Sequence, residues 1–282
     1  MSKKRLVYIW SLRNAAADRA GQYIAYRGGS KYMASPIEHL AALLDDGPLG
    51  RSVSLEGVIF DDDEGNASDR AKLADYGFSP RSGARWFYPQ GLSVQGRVLD
   101  DLLLAEPSTY RRLPLNDPGR RAGKHEFEER LLARLRALDA DIVVLDGLLV
   151  ILDELVRPGA PFHRRIYNIH PGITREGSLY ERRGAYATLD ALYGARGEKV
   201  VDWQTMRKEP VPVIGKTGAS FHYVDNGIDS GEVVAEVLAT DIDPEDTILE
   251  LRWNNFQRSL FPALAIGLAK VVEAEYGAIH AA

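Results

Sequence analysis

The segment Arg165–Thr174 reads "RIYNIHPGIT", a short apolar run that leads into an asparagine, a histidine and a Pro-Gly break. Its β-branched and aromatic residues predict a strand that ends at His170. Because residues i and i+2 of a strand share one face, Asn168 and His170 are predicted to point the same way. The pair is either a polar cap on a strand end or a donor and a base directed at one reacting atom.

Strands and helices alternate along the chain around this segment. The predicted strands are Arg5–Trp10, Leu55–Asp61 and Ile142–Leu145, and the predicted helices are Pro36–Asp45, Asp69–Tyr76, His125–Asp139 and Leu148–Leu155. Such alternation predicts an α/β fold with a mostly parallel, Rossmann-like sheet and helices on both faces. Residues 11–35 show weak periodicity and are predicted to form a long functional loop. No G-x-G-x-x-G motif follows the first strand, so the usual dinucleotide site is not predicted.

The last third of the chain has a different pattern. Ala219–Val224 and Glu232–Leu238 alternate in polarity around "DNGIDSG", which predicts a C-terminal addition of antiparallel strands. Asp243 is predicted to cap a following helix, and Pro262–Glu275 is predicted to form another. Since no repeat or low-complexity linker interrupts the pattern, residues 1–282 are predicted to form a single domain with a C-terminal helical extension.

Composition excludes several classes of site. The net charge of −5 argues against broad binding to a nucleic-acid backbone. The absence of cysteine excludes disulfides, thiolate zinc sites and cysteine nucleophiles, and no metal-ligand pattern is visible. Asp146 and Asp153 interrupt the most apolar segment, which is therefore not a membrane span. The sequence predicts a cytoplasmic protein without a nucleic-acid or membrane partner, and it indicates no oligomeric state.

The "DNGIDSG" turn supplies a third polar residue, Asp229. A carboxylate in a tight turn is usually solvated, but an imidazole base needs a group that orients it. The order N-x-H-P and then "HYVDNGIDSGEVV" resembles the folate-dependent formyltransferase family, which includes glycinamide ribonucleotide transformylase and methionyl-tRNA formyltransferase. The resemblance implies the formyltransferase fold, N10-formyltetrahydrofolate as formyl donor, and a catalytic triad of Asn168, His170 and Asp229. His222 matches a family position in a strand and is expected to be structural.

A further segment resembles the folate-binding part of that family. Residues 143–152, "VVLDGLLVIL", match the stretch that follows a central strand and lines the pterin pocket. The residues that this resemblance assigns to the pocket are Leu149, Val150, Ile151 and Leu152, with Val224 and Asp225 in the turn that closes it. Plain core packing is the alternative interpretation of the four apolar residues.

Three departures from the family affect the choice of acceptor. An insertion around residues 194–218 lengthens the separation between His170 and Asp229, and Pro-Gly replaces the commoner Pro-Ser after His170. The glycine-rich phosphate loop of the ribonucleotide enzyme is also absent. Its place is taken by residues 11–33, "SLRNAAADRAGQYIAYRGGSKYM", which argues against a phosphoribosyl acceptor.

Most of the chain resembles the members of this family that formylate N5-hydroxyornithine in pyoverdine siderophore biosynthesis. The matching stretches include "KKRLVYIWSLRNAAADRAG" (3–21), "WFYP" (86–89), "STYRRLP" (108–114) and "RRGAYATLDALYGARGE" (182–198). The implied reaction is formyl transfer to the hydroxylamine nitrogen. The candidates for binding the zwitterionic acceptor are Arg13, Asn14, Tyr26, Lys31 and Tyr32. Formylation of another amine such as an amino sugar, hydrolysis of formyl-folate, and a non-catalytic folate-binding subunit remain as alternatives.

Overall fold

A seven-stranded sheet organises the computed structural model, which describes residues 2–78 and 87–280. The sheet order is β13-β12-β9-β8-β1-β4-β7, and the remaining strands form three small two-stranded sheets. The strands are β1 (Lys4–Trp10), β2 (Tyr23–Tyr26), β3 (Gly29–Tyr32), β4 (Val53–Phe60), β5 (Ser93–Val94), β6 (Arg97–Val98), β7 (Leu103–Ala105), β8 (Ile142–Asp146), β9 (Ile166–His170), β10 (Glu198–Asp202), β11 (Arg207–Pro210), β12 (Lys216–Tyr223) and β13 (Val233–Asp241).

The strand directions confirm the predicted fold class. Strand β1 runs parallel to β4 and β8, and β4 runs parallel to β7. Strands β12 and β13 are antiparallel, as the alternating pattern around the "DNGIDSG" turn predicts. Five of the seven residues of β1 are buried, which is typical of a parallel strand covered on both faces.

The helices are α1 (Leu12–Ala17), α2 (Pro36–Asp45), α3 (Ala67–Tyr76), α4 (Gly119–Ala137), α5 (Ala187–Ala195), α6 (Ile248–Asn255) and α7 (Phe261–His280). Helix α2 begins at the predicted residue, whereas α3 and α4 begin before the predicted Asp69 and His125. At α2, Ser35 and Glu38 form a reciprocal capping box and Pro36 occupies the first turn. At α3, Gly77 ends the helix with a φ of 95°, a conformation that suits glycine.

The prediction of one long loop over residues 11–35 is wrong. Helix α1 follows β1 directly, and strands β2 and β3 form a short hairpin. The segments on either side of the hairpin are joined by backbone bonds between Gly21 and Met33 and between Met33 and Gln22. These pairings join residues about ten apart in sequence, so local periodicity did not indicate them.

The predicted helix Leu148–Leu155 is also wrong, because this segment forms turns and irregular backbone. The buried carboxylate of Glu128, on α4, accepts the backbone N–H groups of Asp153 and Glu154 at 2.8 and 2.7 Å. A partner about 25 residues away therefore takes donors that a local helix would have used.

Asp243 does not cap the C-terminal helix as predicted. Its carboxylate accepts the Glu245 N–H in a turn, and Thr247 caps α6 through a capping box with Glu250. A single π-helical turn, Phe256–Leu260, joins α6 to α7, and α7 continues past Gly277 to His280. The two predicted C-terminal helices are therefore one continuous helical stretch.

The chain divides into two compact units. The first runs to Tyr23 and again over Tyr32–Tyr167, and the second contains Ile24–Lys31 and the chain from Asn168 onward. The prediction of a single domain remains a prediction. Within the described residues, no helix combines the length and the apolar character needed to cross a membrane.

Candidate active site

Two strands and one turn of the second unit bring four polar side chains together. Strand β9 ends with Asn168 and His170, strand β12 carries His222 near its end, and the turn before β13 carries Asp229. Asn168 and His170 both contact the Asp229 carboxylate, as the alternation of side chains along β9 predicts. The three predicted triad residues therefore lie in one cluster.

Asp229 is the centre of this cluster. Its Oδ2 accepts the backbone N–H of Gly184 at 2.8 Å and lies 3.3 Å from His170 Nδ1, while Oδ1 accepts the Asn168 amide at 3.0 Å. Burial favours the neutral acid, but the His170 and His222 rings in their charged form and the hydrogen bond from Gly184 outweigh it and hold the pKa of Asp229 far below its usual value. The carboxylate is therefore ionised at neutral pH. The backbone φ of Asp229 is 47°, in the left-handed region, which aspartate tolerates better than most residues.

The His170 ring is buried between two acceptors. Its Nδ1 lies 3.3 Å from Asp229 Oδ2, and its Nε2 lies 2.9 Å from the backbone carbonyl oxygen of Arg182. A neutral imidazole carries one N–H, so it donates to only one of these two acceptors at a time. Burial lowers the pKa of His170 and outweighs the opposite effect of the Asp229 carboxylate. The ring is consequently neutral at pH 7, which is the state that a general base requires.

His222 joins the cluster although the sequence predicts only a structural role for it. Its Nδ1 lies 2.8 Å from the Tyr223 carbonyl and must donate to it, so in the neutral ring Nε2, which also lies 3.5 Å from Asp229 Oδ1, is an acceptor. The Asn168 amide nitrogen lies 3.3 Å from that Nε2. Because both hydrogens of the amide are then directed at His222 and Asp229, these two residues set the orientation of Asn168.

Gly172 explains the departure from Pro-Ser after His170. A Cβ atom at position 172 would clash with the Arg182 carbonyl oxygen and would lie 3.0 Å from His170 Nε2. The glycine therefore provides the space in which the Arg182 carbonyl reaches the imidazole.

The predicted donor segment lies in the first unit. Leu149 and Ile151 are 48% and 44% exposed, whereas Val150 and Leu152 are buried. Gly147, which precedes the segment, has a φ of 61°, and a Cβ atom there would clash with the side-chain amide of Asn14. The segment thus presents alternate apolar side chains on an irregular backbone, with Asn14 packed at its beginning.

The turn that is predicted to close the pterin pocket is ordered by Asp225. Its Oδ1 accepts the Gly227 N–H at 3.0 Å and the Ser230 hydroxyl at 2.7 Å. Val224 is half-buried directly before it. These bonds hold the backbone that leads to Asp229, and the pocket role of both residues stays a prediction.

Arg13, a predicted acceptor-binding residue, is buried among carboxylates. Its guanidinium lies 2.8 Å from Asp61, 3.2 Å from Asp62 and 3.8 Å from Asp69. Only 3% of its side chain is exposed. The guanidinium is therefore already paired within the first unit, and its role toward an acceptor remains a prediction.

Tyr26 and Lys31, on the β2–β3 hairpin, pack against α6. The Tyr26 hydroxyl donates to Asn254 Oδ1 at 2.7 Å, its ring contacts the Trp253 ring edge-on, and the Lys31 ammonium lies 5.3 Å from the Trp253 ring centre. These contacts anchor the hairpin on the second unit.

Tyr32, the fifth predicted acceptor residue, lies within the first unit. Its hydroxyl donates to the Glu38 carboxylate at 3.0 Å, and burial together with that carboxylate raises the pKa of Tyr32. Acceptor binding by Tyr26, Lys31 and Tyr32 stays a prediction.

Comparison with known proteins identifies the family. No family model matches the chain. Among solved structures, PvdF of pyoverdin biosynthesis, a structurally unique N10-formyltetrahydrofolate-dependent formyltransferase, is 63% identical. The match covers 96% of this chain and 100% of PvdF, with a TM-score of 0.89. The chain belongs to the folate-dependent formyltransferase family.

More distant matches to this formyltransferase agree on the fold. The phosphoribosylglycinamide formyltransferase of Anaplasma phagocytophilum is 18% identical with a TM-score of 0.54, and the match covers 96% of this chain and 88% of that chain. Phosphoribosylglycinamide formyltransferase of Bacillus subtilis (strain 168) is 24% identical over 152 residues. That match covers 52% of this formyltransferase and 64% of the relative's length.

Proposed function

We propose that this formyltransferase moves the formyl group of N10-formyltetrahydrofolate to the hydroxylamine nitrogen of N5-hydroxyornithine. The product, N5-formyl-N5-hydroxyornithine, carries a hydroxamate that binds iron in a pyoverdine-type siderophore. The observation that supports this function most directly is the 63% identity with PvdF over nearly the whole chain. We further propose that the protein acts in the cytoplasm on small-molecule substrates.

The residues of the predicted donor segment fit a flat heteroaromatic ring. Leu149 and Ile151 expose apolar side chains, and the backbone around them lies outside helices and strands. Such a backbone offers N–H and C=O groups to a pterin, and the side chains offer an apolar surface. The donor supplies an activated formyl group when it is bound.

The proton path follows from the orientation of His170. A new bond forms between the acceptor nitrogen and the formyl carbon, the bond from that carbon to N10 breaks, and one proton moves from the acceptor nitrogen to N10. Asp229 holds Nδ1 of the ring, so Nε2 is the nitrogen that exchanges this proton. In the tautomer that acts as base, Nδ1–H donates to Asp229 and Nε2 is unprotonated, and the Arg182 carbonyl, 2.9 Å from Nε2, must give way to substrate.

We assign Asn168 to the formyl oxygen, on which negative charge develops during attack. Of the two bonds of its amide, the one to His222 is longer, at 3.3 Å, than the one to Asp229, at 3.0 Å. The longer bond is the one that a substrate oxygen replaces. The Asp229 bond then keeps the remaining hydrogen in place and preorganises the donor.

The chemistry of the acceptor agrees with a neutral His170. A side-chain amine has a pKa of about 10 and is mostly protonated at pH 7. The hydroxyl oxygen withdraws electrons and lowers the basicity of the hydroxylamine nitrogen, so a neutral nucleophile is available. A buried, neutral imidazole is sufficient to take its proton during attack.

A comparison of four acceptors tests this function. The enzyme is incubated with N10-formyltetrahydrofolate and hydroxyornithine, ornithine, glycinamide ribonucleotide or water alone, and tetrahydrofolate release is followed. We expect turnover with hydroxyornithine, none with the ribonucleotide, and a rate with ornithine that is lower by up to ~10⁴-fold at pH 7. Equal rates with water alone would instead indicate a hydrolase, and a faster rate with the ribonucleotide would reject the siderophore assignment.

A further inference from the structure

The insertion between His170 and Asp229 places a half-buried tryptophan, Trp203, on the exposed Tyr186. Trp203 lies in the turn between β10 and β11, and its ring stacks on Tyr186 with the ring centres 4.5 Å apart and the planes at 29°. The Tyr186 side chain is still 52% exposed. We call Tyr186 and Trp203 the aromatic rim.

The aromatic rim adjoins the catalytic cluster within the second unit. Tyr186 follows Gly184 by two residues, and the Gly184 backbone N–H donates to Asp229 Oδ2 at 2.8 Å. A Cβ atom at Gly184 would lie 3.8 Å from Cγ2 of Ile228, which directly precedes Asp229 and is 58% exposed. Ile228 is therefore one residue from the carboxylate Asp229, and Tyr186 is two residues from Gly184, whose N–H donates to that carboxylate. Together they begin an apolar surface that contains an aromatic ring.

A partly exposed stacked pair is suited to a flat ring rather than to an aliphatic zwitterion. Aromatic side chains gain affinity from stacked or edge-on contact with another ring, and neither Tyr186 nor Trp203 carries a charge that would pair with an α-amino or α-carboxylate group. Hydroxyornithine has no ring. In the formyl donor, N10 is bonded directly to the p-aminobenzoyl ring, so this ring lies one bond from the atom that gives up the formyl group. Any surface that binds it must adjoin the residues that act at N10.

We propose that Tyr186 and Trp203 form the binding surface for the p-aminobenzoyl ring of the formyl donor. This inference rests on the proposed function and gives the inserted hairpin a role in donor binding. The hairpin brings Trp203 onto Tyr186 and thereby extends the apolar surface beside the catalytic cluster.

Binding and kinetics on the full-length protein test the proposal. Calorimetry gives the Kd of tetrahydrofolate, which retains the p-aminobenzoyl ring, and steady-state rates give the two KM values. Trp203→Ala is expected to raise the Kd of tetrahydrofolate and the KM of the formyl donor about 3- to 10-fold, the range for loss of one aromatic contact. The KM of hydroxyornithine is expected to change less than 2-fold. Inhibition by the fragment p-aminobenzoylglutamate is expected to weaken by the same factor as the Kd.

Three matched variants separate ring stacking from damage to the hairpin. Trp203→Phe keeps a ring and is expected to stay within about 2-fold of the wild-type Kd. Tyr186→Leu keeps apolar bulk without a ring and is expected to behave like Trp203→Ala. Met206→Ala alters the same turn at a side chain that is 43% exposed, and it is expected to change nothing.

The outcomes distinguish this inference from the proposed function. An unchanged Kd in both Trp203→Ala and Tyr186→Leu, an equal loss in Met206→Ala, or a rise in the hydroxyornithine KM alone would overturn the donor-ring assignment. In those cases wild-type binding of tetrahydrofolate would leave the proposed function intact. A wild-type protein that binds no tetrahydrofolate would overturn the proposed function itself.

Discussion

The two units each contain a buried cluster of charged and polar side chains. The clusters differ in whether they contain a side chain that can gain or lose a proton near neutral pH. In the first unit Arg13 is surrounded by Asp61, Asp62 and Asp69. Burial opposes the charge of Arg13, but the hydrogen bonds and charges of the aspartates outweigh it and raise the pKa of Arg13 above its ordinary value. A guanidinium that is always charged cannot exchange a proton at neutral pH.

The basic side chain beside Asp229 is an imidazole, whereas the basic side chain of the Arg13 cluster is a guanidinium. Burial lowers the pKa of His170, so the ring is neutral at rest and can accept a proton during turnover. The difference between the two clusters shows that buried charge alone does not indicate a catalytic site. The decisive feature is a group that can change its protonation state beside a partner that stabilises the product of that change.

Removal of the titratable group should give the largest effect. We expect His170→Ala to lower turnover about 10²–10⁴-fold, the usual contribution of a general acid–base group, and to cost about 2–4 kcal/mol of unfolding free energy, because the buried ring leaves a cavity. Steady-state kinetics and thermal unfolding measure the two effects. The exposed His163 provides a matched control, and His163→Ala should be close to wild type. Wild-type turnover in folded His170→Ala would reject the mechanism.

Removal of the cation from the other cluster should act on stability instead. Arg13→Met leaves three carboxylates without their shared partner, and we expect it to cost about 3–5 kcal/mol of unfolding free energy. Arg19→Met is the control, since Arg19 pairs with the exposed Asp75 and should cost no more than about 1 kcal/mol. Denaturant unfolding measures both values. A stable Arg13→Met variant with a raised KM for hydroxyornithine would instead support the predicted acceptor role.

Asp229 should act through His170. We expect Asp229→Asn to impair turnover strongly, and the double variant with His170→Ala to be less than about 3-fold worse than His170→Ala, because residues that act as a unit are non-additive. Since the Asp229 carboxylate raises the pKa of His170, its loss should move the acid limb of the kcat/KM profile to lower pH. Multiplicative losses, or a shift to higher pH, would show a separate role for Asp229.

Gly172 should give the smallest effect. The methyl group of Gly172→Ala would displace the Arg182 carbonyl, and we expect a loss of about 1–3 kcal/mol in unfolding free energy. The carbonyl raises the pKa of His170, so its displacement should shift the acid limb slightly to lower pH. Gly215→Ala is the control, because a Cβ atom there meets nothing within 4 Å. Equal behaviour of the two variants would show that the Arg182 carbonyl is not held by the glycine.

Local signals were enough for much of the fold. Helix α2 has the predicted bounds, because its capping box and first-turn proline act within one turn of chain. The strand that carries Asn168 and His170 also ends as predicted, since a Pro-Gly break follows a β-branched run. The motif order placed Asp229 in the same site through family resemblance, although its distance along the chain is large.

Other features had no local signal. His222 contacts Asn168 and Asp229 only because β12 carries it to the cluster, and one histidine in a strand does not predict that. Trp203 stacks on Tyr186 through the β10–β11 hairpin, which the sequence indicated only as an insertion. The sequence signal for His222 was its position seven residues before Asp229 in the matched motif.

The sequence by itself determined the α/β alternation, the capping box of α2 and the shared strand face of Asn168 and His170, because propensity, capping and side-chain alternation act over a few residues. The assignment of the triad came from family resemblance. Only the tertiary structure determined which groups these side chains and backbone segments contact. In the folded chain Arg13 lies in a buried ion cluster, and the Arg182 carbonyl contacts His170. The segment Leu148–Leu155 is irregular because Glu128 accepts its backbone N–H groups. Each of these depends on groups at least twelve residues apart, and their proximity follows from how the elements pack rather than from the local pattern.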